Sequence, residues 1–285
     1  MDGKEFDREM NKRTFTVVGG DARMRYLALA LKQTGMPTIV TCVPGLADDG
    51  LPEALLPKAE IVILPVPTLD KNKRIVGTTL TSEALLSLLP PDAKIFCGKP
   101  DAALADDPGT TDLLARPSLT IRNAALTAEG AIQLAMTLLP SSILGGRFLV
   151  IGAGRIGMAL ARRLQALGAE VTVSARKSAD YAKIECENLR SDRTGVYEHG
   201  LGCYDCVFNT VPARVFSAEQ LAGLTPDCLY MELASAPGGI EEDARAMLGK
   251  RFVSGAGLPG RCSPKAAGVL ILQEIFACLE EEGAR

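Results

Sequence analysis

The chain has one histidine, His199, among 285 residues. That scarcity takes the commonest general base and the commonest transition-metal ligand out of nearly every candidate site. The only cluster with ligand character is His199 with Cys203 and Cys206, the two cysteines in C-x-x-C spacing. A zinc site would need a fourth ligand, and Cys206 opens the apolar run Cys206-Val207-Phe208, so the cluster reads as structural and no metal is expected. A basic surplus is also missing. The formal net charge is −3, whereas a nucleic-acid surface needs a concentrated basic face. No run approaches about 18 uninterrupted apolar residues, so no membrane span is expected. The start, Met1-Asp2-Gly3-Lys4-Glu5, is charged and has no apolar core of the kind a secretory signal carries. The expectation is a cytoplasmic protein whose eight cysteines stay reduced. Internal repeats and low-complexity segments are absent as well.

What is present is core-forming material. Apolar residues make up 47% and charged residues 23%, a balance that supports buried cores and carries no disorder signature. The length suits two domains. Apolar runs bounded by Gly or Pro alternate with helix-period segments, the pattern of parallel α/β sheets. In the first half this predicts strands near 14–18, 38–43, 60–65, 94–97 and 119–121, with a crossover helix from Ala22 to Gln33 stopped by Gly35 and Pro37. A helix from about Thr127 to Leu139 ends at Pro140. Then come strands at 147–151, 170–174, 205–210 and 228–233, with a helix at 158–167. Ser263 and Pro264 supply an N-cap and a first helical residue for a C-terminal helix.

The strongest local signal is Gly152-Ala153-Gly154-Arg155-Ile156-Gly157, a G-x-G-x-x-G that follows an apolar strand and opens an apolar helix. A second strand follows, which completes the context that the dinucleotide fingerprint requires. Gly152 is expected to make the tight turn, Gly154 to admit a diphosphate, and Gly157 to let helix and strand meet. The end of the second strand, Ser174-Ala175-Arg176-Lys177, has no acid for a ribose diol. A hydroxyl and two cations suit a 2′-phosphate, so NADP is the expected cofactor. Asn209-Thr210-Val211-Pro212 closes a later strand and is expected on the nicotinamide side.

Separated segments carry a more specific resemblance. They are Gly19-Gly20-Asp21-Ala22-Arg23, Leu64-Pro65-Val66, Asn123 through Glu129-Gly130, Gly152 to Gly157, Ala234-Ser235-Ala236-Pro237-Gly238-Gly239, and Gly257-Leu258-Pro259-Gly260 with Pro264-Lys265. Together they resemble the A subunit of bacterial dipicolinate synthase from about Phe15 to Leu279. The wider fold relatives are alanine dehydrogenase and the D-2-hydroxyacid dehydrogenases. The resemblance implies α/β architecture with two doubly wound parallel-sheet domains. Residues 1–122 plus 264–285 would form a flavodoxin-like substrate domain, to which the C-terminal helix returns, and residues 123–263 a Rossmann NADP-binding domain. It implies the last step of dipicolinic acid synthesis in sporulation, in which a dihydrodipicolinate-level intermediate is oxidised with NADP. The implied partner is a flavoprotein-like B subunit, and relatives of this fold usually form homodimers. Two positions depart from the pattern: Ala236 stands where relatives often carry Arg, and Ala266 where they carry Thr.

Making a pyridine from a dihydropyridine gains aromaticity, so little acid–base help is needed, which is compatible with a single histidine expected outside the cleft. A 2-hydroxyacid dehydrogenase usually needs a base near neutrality. The dicarboxylate points to Arg23, Lys265 and Ser235 as substrate-holding residues, with Arg261 and Ser263 as further candidates and Glu129 placing a water or the ring proton. Arg23 has a second reading as a salt bridge to Asp21, Lys265 as a solvated side chain, and Glu129 as a polar helix residue. Two functional alternatives remain open: another NADP-linked dehydrogenase of small 2-hydroxy or 2-oxo acids, and a non-catalytic NADP-binding regulatory subunit.

Overall fold

A computed structural model describes residues 13–198 and 200–283; His199 lies outside them. The chain runs β1 (Phe15–Val18), α1 (Ala22–Gln33), β2 (Thr38–Thr41), α2 (Pro52–Leu55), β3 (Ile61–Ile63), α3 (Ser82–Leu88), β4 (Lys94–Cys97), α4 (Ala102–Asp106), β5 (Thr110–Asp112) and α5 (Pro117–Leu138). It continues with β6 (Arg147–Ile151), α6 (Arg155–Ala166), β7 (Glu170–Ala175), α7 (Ser178–Cys186), β8 (Arg190–Arg193), β9 (Cys206–Asn209) and α8 (Ala218–Ala222). The last elements are β10 (Leu229–Glu232), α9 (Glu242–Leu248), β11 (Phe252–Ser254), α10 (Leu258–Cys262) and α11 (Pro264–Gly283). Contacts divide the chain into one unit reaching Asn123 and resuming at Ser263, and a second unit, Ala124–Cys262. Among the described residues, no helix is long and apolar enough to cross a membrane.

Both sheets are parallel throughout. The first has the order β2-β1-β3-β4-β5, so its strand order reverses between β1 and β3. The second has the order β11-β10-β9-β6-β7-β8 and reverses between β6 and β9. Counted from β6, that is the 3-2-1-4-5-6 arrangement of dinucleotide-binding sheets, in which ligands settle outside the carboxyl ends of the strands at the reversal.

The expected strand at 119–121 is not there. Those residues lie in α5, and the fifth strand is Thr110–Asp112, paired to β4 by Ile95↔Thr110 and Phe96↔Thr111. Leu119-Thr120-Ile121 looks like a strand in isolation, but only the helix buries Leu119 and leaves Ile121 57% exposed. Leu119 then joins Ala124, Ala128, Ala131 and Ala135 as buried positions on α5, mostly spaced at three or four residues. With Pro117 at the start and no glycine before Gly130, the helix begins ten residues before the predicted Thr127.

In the first unit α11 lies directly on α1. Gly268 makes this possible, because a Cβ there would come within 2.3 Å of the Arg23 carbonyl oxygen and 3.0 Å of the Leu27 nitrogen. Ile271, Leu272, Ile275 and Leu279 bury beside Met24, Leu27, Ala28 and Leu31. One charge sits in this apolar seam: Glu274 is 1% exposed. Its carboxylate accepts from Arg116 Nε at 2.9 Å and from Ser118 Oγ at 2.6 Å, while the rest of the Arg116 fork grips Glu281. This network fastens the last helix to the start of α5. Glu274→Ala removes charge-assisted hydrogen bonds but leaves Arg116 partly solvated and still paired, so the loss should be about 2 kcal/mol. Urea unfolding measures it, and a change under about 0.5 kcal/mol, the range of an ordinary surface substitution, would show the network to be neutral.

Candidate functional site

The strand reversal of the second sheet places the glycine turn after β6 against the turn after β9. Gly152 has φ +97 and donates its N–H to the Ser174 carbonyl at 2.9 Å. A Cβ on it would lie 2.7 Å from Val211 Cγ2 and 2.9 Å from Thr210 Oγ1. Gly157 is tighter, since a Cβ would lie 1.9 Å from the Gly152 oxygen. Gly154 is the opposite case: a Cβ there meets nothing within 4 Å. Gly154 is also the N-cap of α6, with no side-chain cap and no acid in the first turn. Two glycines are therefore needed by the protein itself, and the third faces open space at a positive helix end. These residues fit a dinucleotide diphosphate, which needs uncapped helix N–H groups and backbone it can approach closely. Arg155 is exposed and Ile156 half-buried on the first turn behind them.

At the far end of β7 the side chains sort clearly. Ser174 is fully buried and its Oγ accepts from Thr194 Oγ1 at 2.9 Å. Its expected role as a phosphate ligand is thereby corrected to an internal tie between β7 and the turn after β8. Arg176 and Lys177 follow the strand and are exposed, with no ion-pair partner for either among the described residues. The nearest acid on the neighbouring strand is Asp192, paired in register with Ser174. It is buried; Oδ1 accepts from the N–H groups of Arg193 (2.6 Å) and Glu198 (3.1 Å), and Oδ2 has no partner. This acid shapes the 193–198 turn and does not stand at the end of β7.

On the β9 side, Asn209 is also fully buried. Its Nδ2 donates to Val211 O (2.9 Å) and Glu232 Oε1 (2.7 Å), and its Oδ1 accepts from Val211 N. The side chain builds the turn and cannot reach a ligand, which corrects the expectation for Asn209. Thr210 Oγ1 donates to the Ile151 carbonyl at 2.7 Å and stays half-buried, as does Val211, while Pro212 is exposed. Glu232, which sequence reasoning missed, is the hub. Its carboxylate accepts from Asn209, the N–H groups of Ala234 (3.1 Å) and Gly239 (2.8 Å), and the Tyr230 hydroxyl (3.2 Å). Burial and the Glu232 charge push the Tyr230 hydroxyl far above its usual titration range, so it stays a proton donor. Gly239 fits only without a side chain, since a Cβ would lie 2.4 Å from Asn209 Nδ2. The Ala234–Gly239 segment is thus a loop pinned by one carboxylate.

The expected substrate-holding residues fall out differently. The Arg23 fork is largely spent on Asp21: Nε at 3.0 and 3.1 Å, Nη2 at 2.8 Å. Burial alone would raise the Asp21 carboxyl, but Arg23's hydrogen bonds and charge outweigh it and hold the group below its ordinary range. Asp21 also caps α1 through Arg23 N. Lys265 is exposed on the first turn of α11, three residues before the Gly268 contact with the Arg23 backbone, so α11 places these two cations in one region of the first unit. Glu129 is exposed and bonded to Arg163 at 3.4 Å, a surface ion pair. Ser235 is exposed on the loop that Glu232 pins. Arg261 Nη1 is turned to the carbonyls of Ser254 and Ala256. Of the cysteine cluster, Cys206 is wholly buried in β9, where burial pushes its thiol well up.

A strand reversal, an uncapped helix end and an open glycine together make a site suited to a dinucleotide, and residues 120–258 match the D-isomer specific 2-hydroxyacid dehydrogenase, NAD binding domain, which supports a nicotinamide-dependent oxidoreductase. Residues 14–106 match the N-terminal domain of the dipicolinate synthase A subunit. The chain is similar over nearly its whole length to the A subunit of dipicolinate synthase. It is 29% identical to that protein from Bacillus subtilis (strain 168) over 283 residues, covering 93% of this chain and 95% of the relative. The crystal structure of the corresponding protein from Bacillus halodurans superposes with a TM-score of 0.80 at 26% identity, covering 95% and 98% of the two chains. That of the Bacillus subtilis protein superposes equally well, with a TM-score of 0.80 at 28% identity, covering 95% and 97%. A transhydrogenase from Sinorhizobium meliloti shares the fold, with a TM-score of 0.68 at 14% identity, covering 98% and 88%.

Proposed function

We propose that this chain oxidises a dihydrodipicolinate-level intermediate to dipicolinic acid with NADP. The observation that carries the reaction is similarity, over nearly the whole chain, to the A subunit of dipicolinate synthase. NADP is supported by Arg176 and Lys177, which stand exposed at the end of β7 where no acid does. Bound NADP supplies a hydride acceptor. The chain's own work is positional: Gly152, Gly154, Gly157 and the first turn of α6, from Arg155 and Ile156, hold the diphosphate. Arg176 and Lys177 hold the 2′-phosphate, and Thr210, Val211 and Pro212 line the nicotinamide side. Glu232 fixes the loop carrying Ser235. The first unit, with α11, takes the dicarboxylate. Ring aromatisation drives the step and the ring proton left after hydride loss passes to solvent, so no buried general base is required.

Within this reading the chain works in the cytoplasm as a homodimer, in partnership with a flavoprotein-like B subunit. Turnover assayed across dihydrodipicolinate precursor and a panel of 2-hydroxy and 2-oxo acids tests the substrate assignment. Oxidation of the precursor alone is expected, and turnover of a simple 2-hydroxy acid would move the assignment to another dehydrogenase of this fold. Ala236 and Ala266, both exposed, are the only sequence support for the regulatory reading, which predicts tight NADP binding with no turnover by the isolated chain.

A further inference from the structure

The strand beside β7 is the last of the second sheet, and it carries no apolar residue: β8 reads Arg190-Ser191-Asp192-Arg193. Alternation along a strand sends neighbours to opposite faces. Asp192 turns inward and is 5% exposed, whereas Arg193 is exposed. Register fixes where Arg193 starts. It pairs with Ala175, about 4.8 Å away across the ladder, and Ala175 is the last residue of β7 before Arg176 and Lys177. The corner is held from both strands. The Ala175 carbonyl accepts from Thr194 N and from the Tyr181 hydroxyl of α7, each at 3.0 Å. Thr194, the residue after Arg193, also donates from Oγ1 to Ser174 Oγ. The Arg193 carbonyl accepts from Val196 N and Tyr197 N, both at 3.1 Å. The backbone from which Arg176, Lys177 and Arg193 leave is therefore tied together.

Three cations thus share one strand-end corner of a chain whose net charge is −3. None of the three side chains has an ion-pair or hydrogen-bond partner among the described residues. The acids of the adjoining segments are committed elsewhere or stand apart. Asp192 faces inward, with Oδ1 on backbone N–H groups, and Asp180 pairs with Lys183. Glu198 is exposed and pairs with none of the three. Like charges held side by side repel one another, and a bound dianion relieves that repulsion. In open parallel sheets of this order the adenosine ribose is held at the end of the second strand. That strand is β7, so a 2′-phosphate belongs one strand spacing from Arg193.

We propose that Arg193 is a specificity-determining residue for the dinucleotide, pairing with the 2′-phosphate from β8 while Arg176 pairs with it from β7. The inference rests on the NADP reading of the proposed function and adds to it a residue from a different strand. An arginine fork takes two phosphate oxygens at once, which a lysine at the same place does not. Shape as well as charge therefore enters the discrimination.

Isothermal titration of the full chain with NADP and with NAD tests it on Arg193→Ala, Arg193→Lys, Arg176→Ala and the double alanine variant, with Tm measured on each. Arg193→Ala is expected to bind NADP at least tenfold more weakly, to hold NAD within twofold of wild type, and to keep its Tm. Arg193→Lys should recover only part of the loss, and the double variant should bind the two dinucleotides equally. NADP binding that survives Arg193→Ala but falls in Arg176→Ala overturns the Arg193 contact and leaves the NADP reading standing. Equal losses for NADP and NAD, with or without a fall in Tm, also overturn it, because Arg193 would then serve the fold or a part common to both dinucleotides. A wild type that binds NAD as tightly as NADP overturns the NADP reading and this contact with it.

Discussion

Gly154→Asp should abolish dinucleotide binding while leaving the melting temperature unchanged or slightly higher. Gly154 is an N-cap in extended backbone, φ −79 and ψ −172, which an aspartate adopts freely. Its Cβ enters open space, and its carboxylate caps the first turn of α6, worth a few tenths of a kcal/mol over glycine. That same carboxylate takes up the helix N–H groups and sets a negative charge where a diphosphate would lie. A loss of more than about 100-fold in affinity is expected, equivalent to about 2.7 kcal/mol. Gly157→Ala makes the contrast, because its Cβ would collide with the Gly152 oxygen at 1.9 Å and must damage the fold itself. Calorimetric titration and thermal melting on both variants separate a ligand-facing glycine from a packing glycine. Equal losses of Tm in the two would refute the division of roles.

Arg176→Ala is expected to weaken NADP by about 10–100-fold, the worth of one or two charge-assisted hydrogen bonds, and to change NAD by less than about threefold. The discrimination follows from position. Arg176 is the first residue past β7, exposed, with no ion-pair partner among the described residues. The acid on the neighbouring strand, Asp192, is buried and its Oδ1 accepts from backbone N–H groups. If both affinities fell together, Arg176 would be acting on a part common to the two dinucleotides and the NADP reading would lose its main support. Fluorescence titration with each reduced cofactor supplies the comparison.

The glycine turn was legible because its neighbours constrain it: an apolar strand, a helix and a second strand must all appear in order, and they do. What the sequence could not convey was the direction of side chains at strand ends. Residues Val171 to Ala175 are all buried, so the alternation that normally separates inside from outside is missing, and Ser174 and Asn209 looked available when both face inward. The short edge strands were illegible for a different reason. Thr110–Asp112 and Arg190–Arg193 are polar and half-paired, as edges tend to be, and so give no apolar signal. Leu119 to Ile121 gave a false one, because three residues cannot reveal a period of 3.6.

Glu232 had a visible cue, an acid ending the apolar run Leu229-Tyr230-Met231, but its partners lie 23 residues upstream and seven downstream. Arg23 illustrates the remaining limit. The Asp21-x-Arg23 spacing admits both a ligand contact and a local salt bridge, and the structure shows the fork on Asp21.

The most direct test of the proposed reaction is NADPH formation, followed by its absorbance, from the purified chain given freshly prepared dihydrodipicolinate precursor and either NADP or NAD. Dipicolinate is expected to appear in step with NADPH, and far less of it with NAD. No turnover with NADP, whether or not the B subunit is added, in a preparation that binds NADP tightly would contradict the assignment.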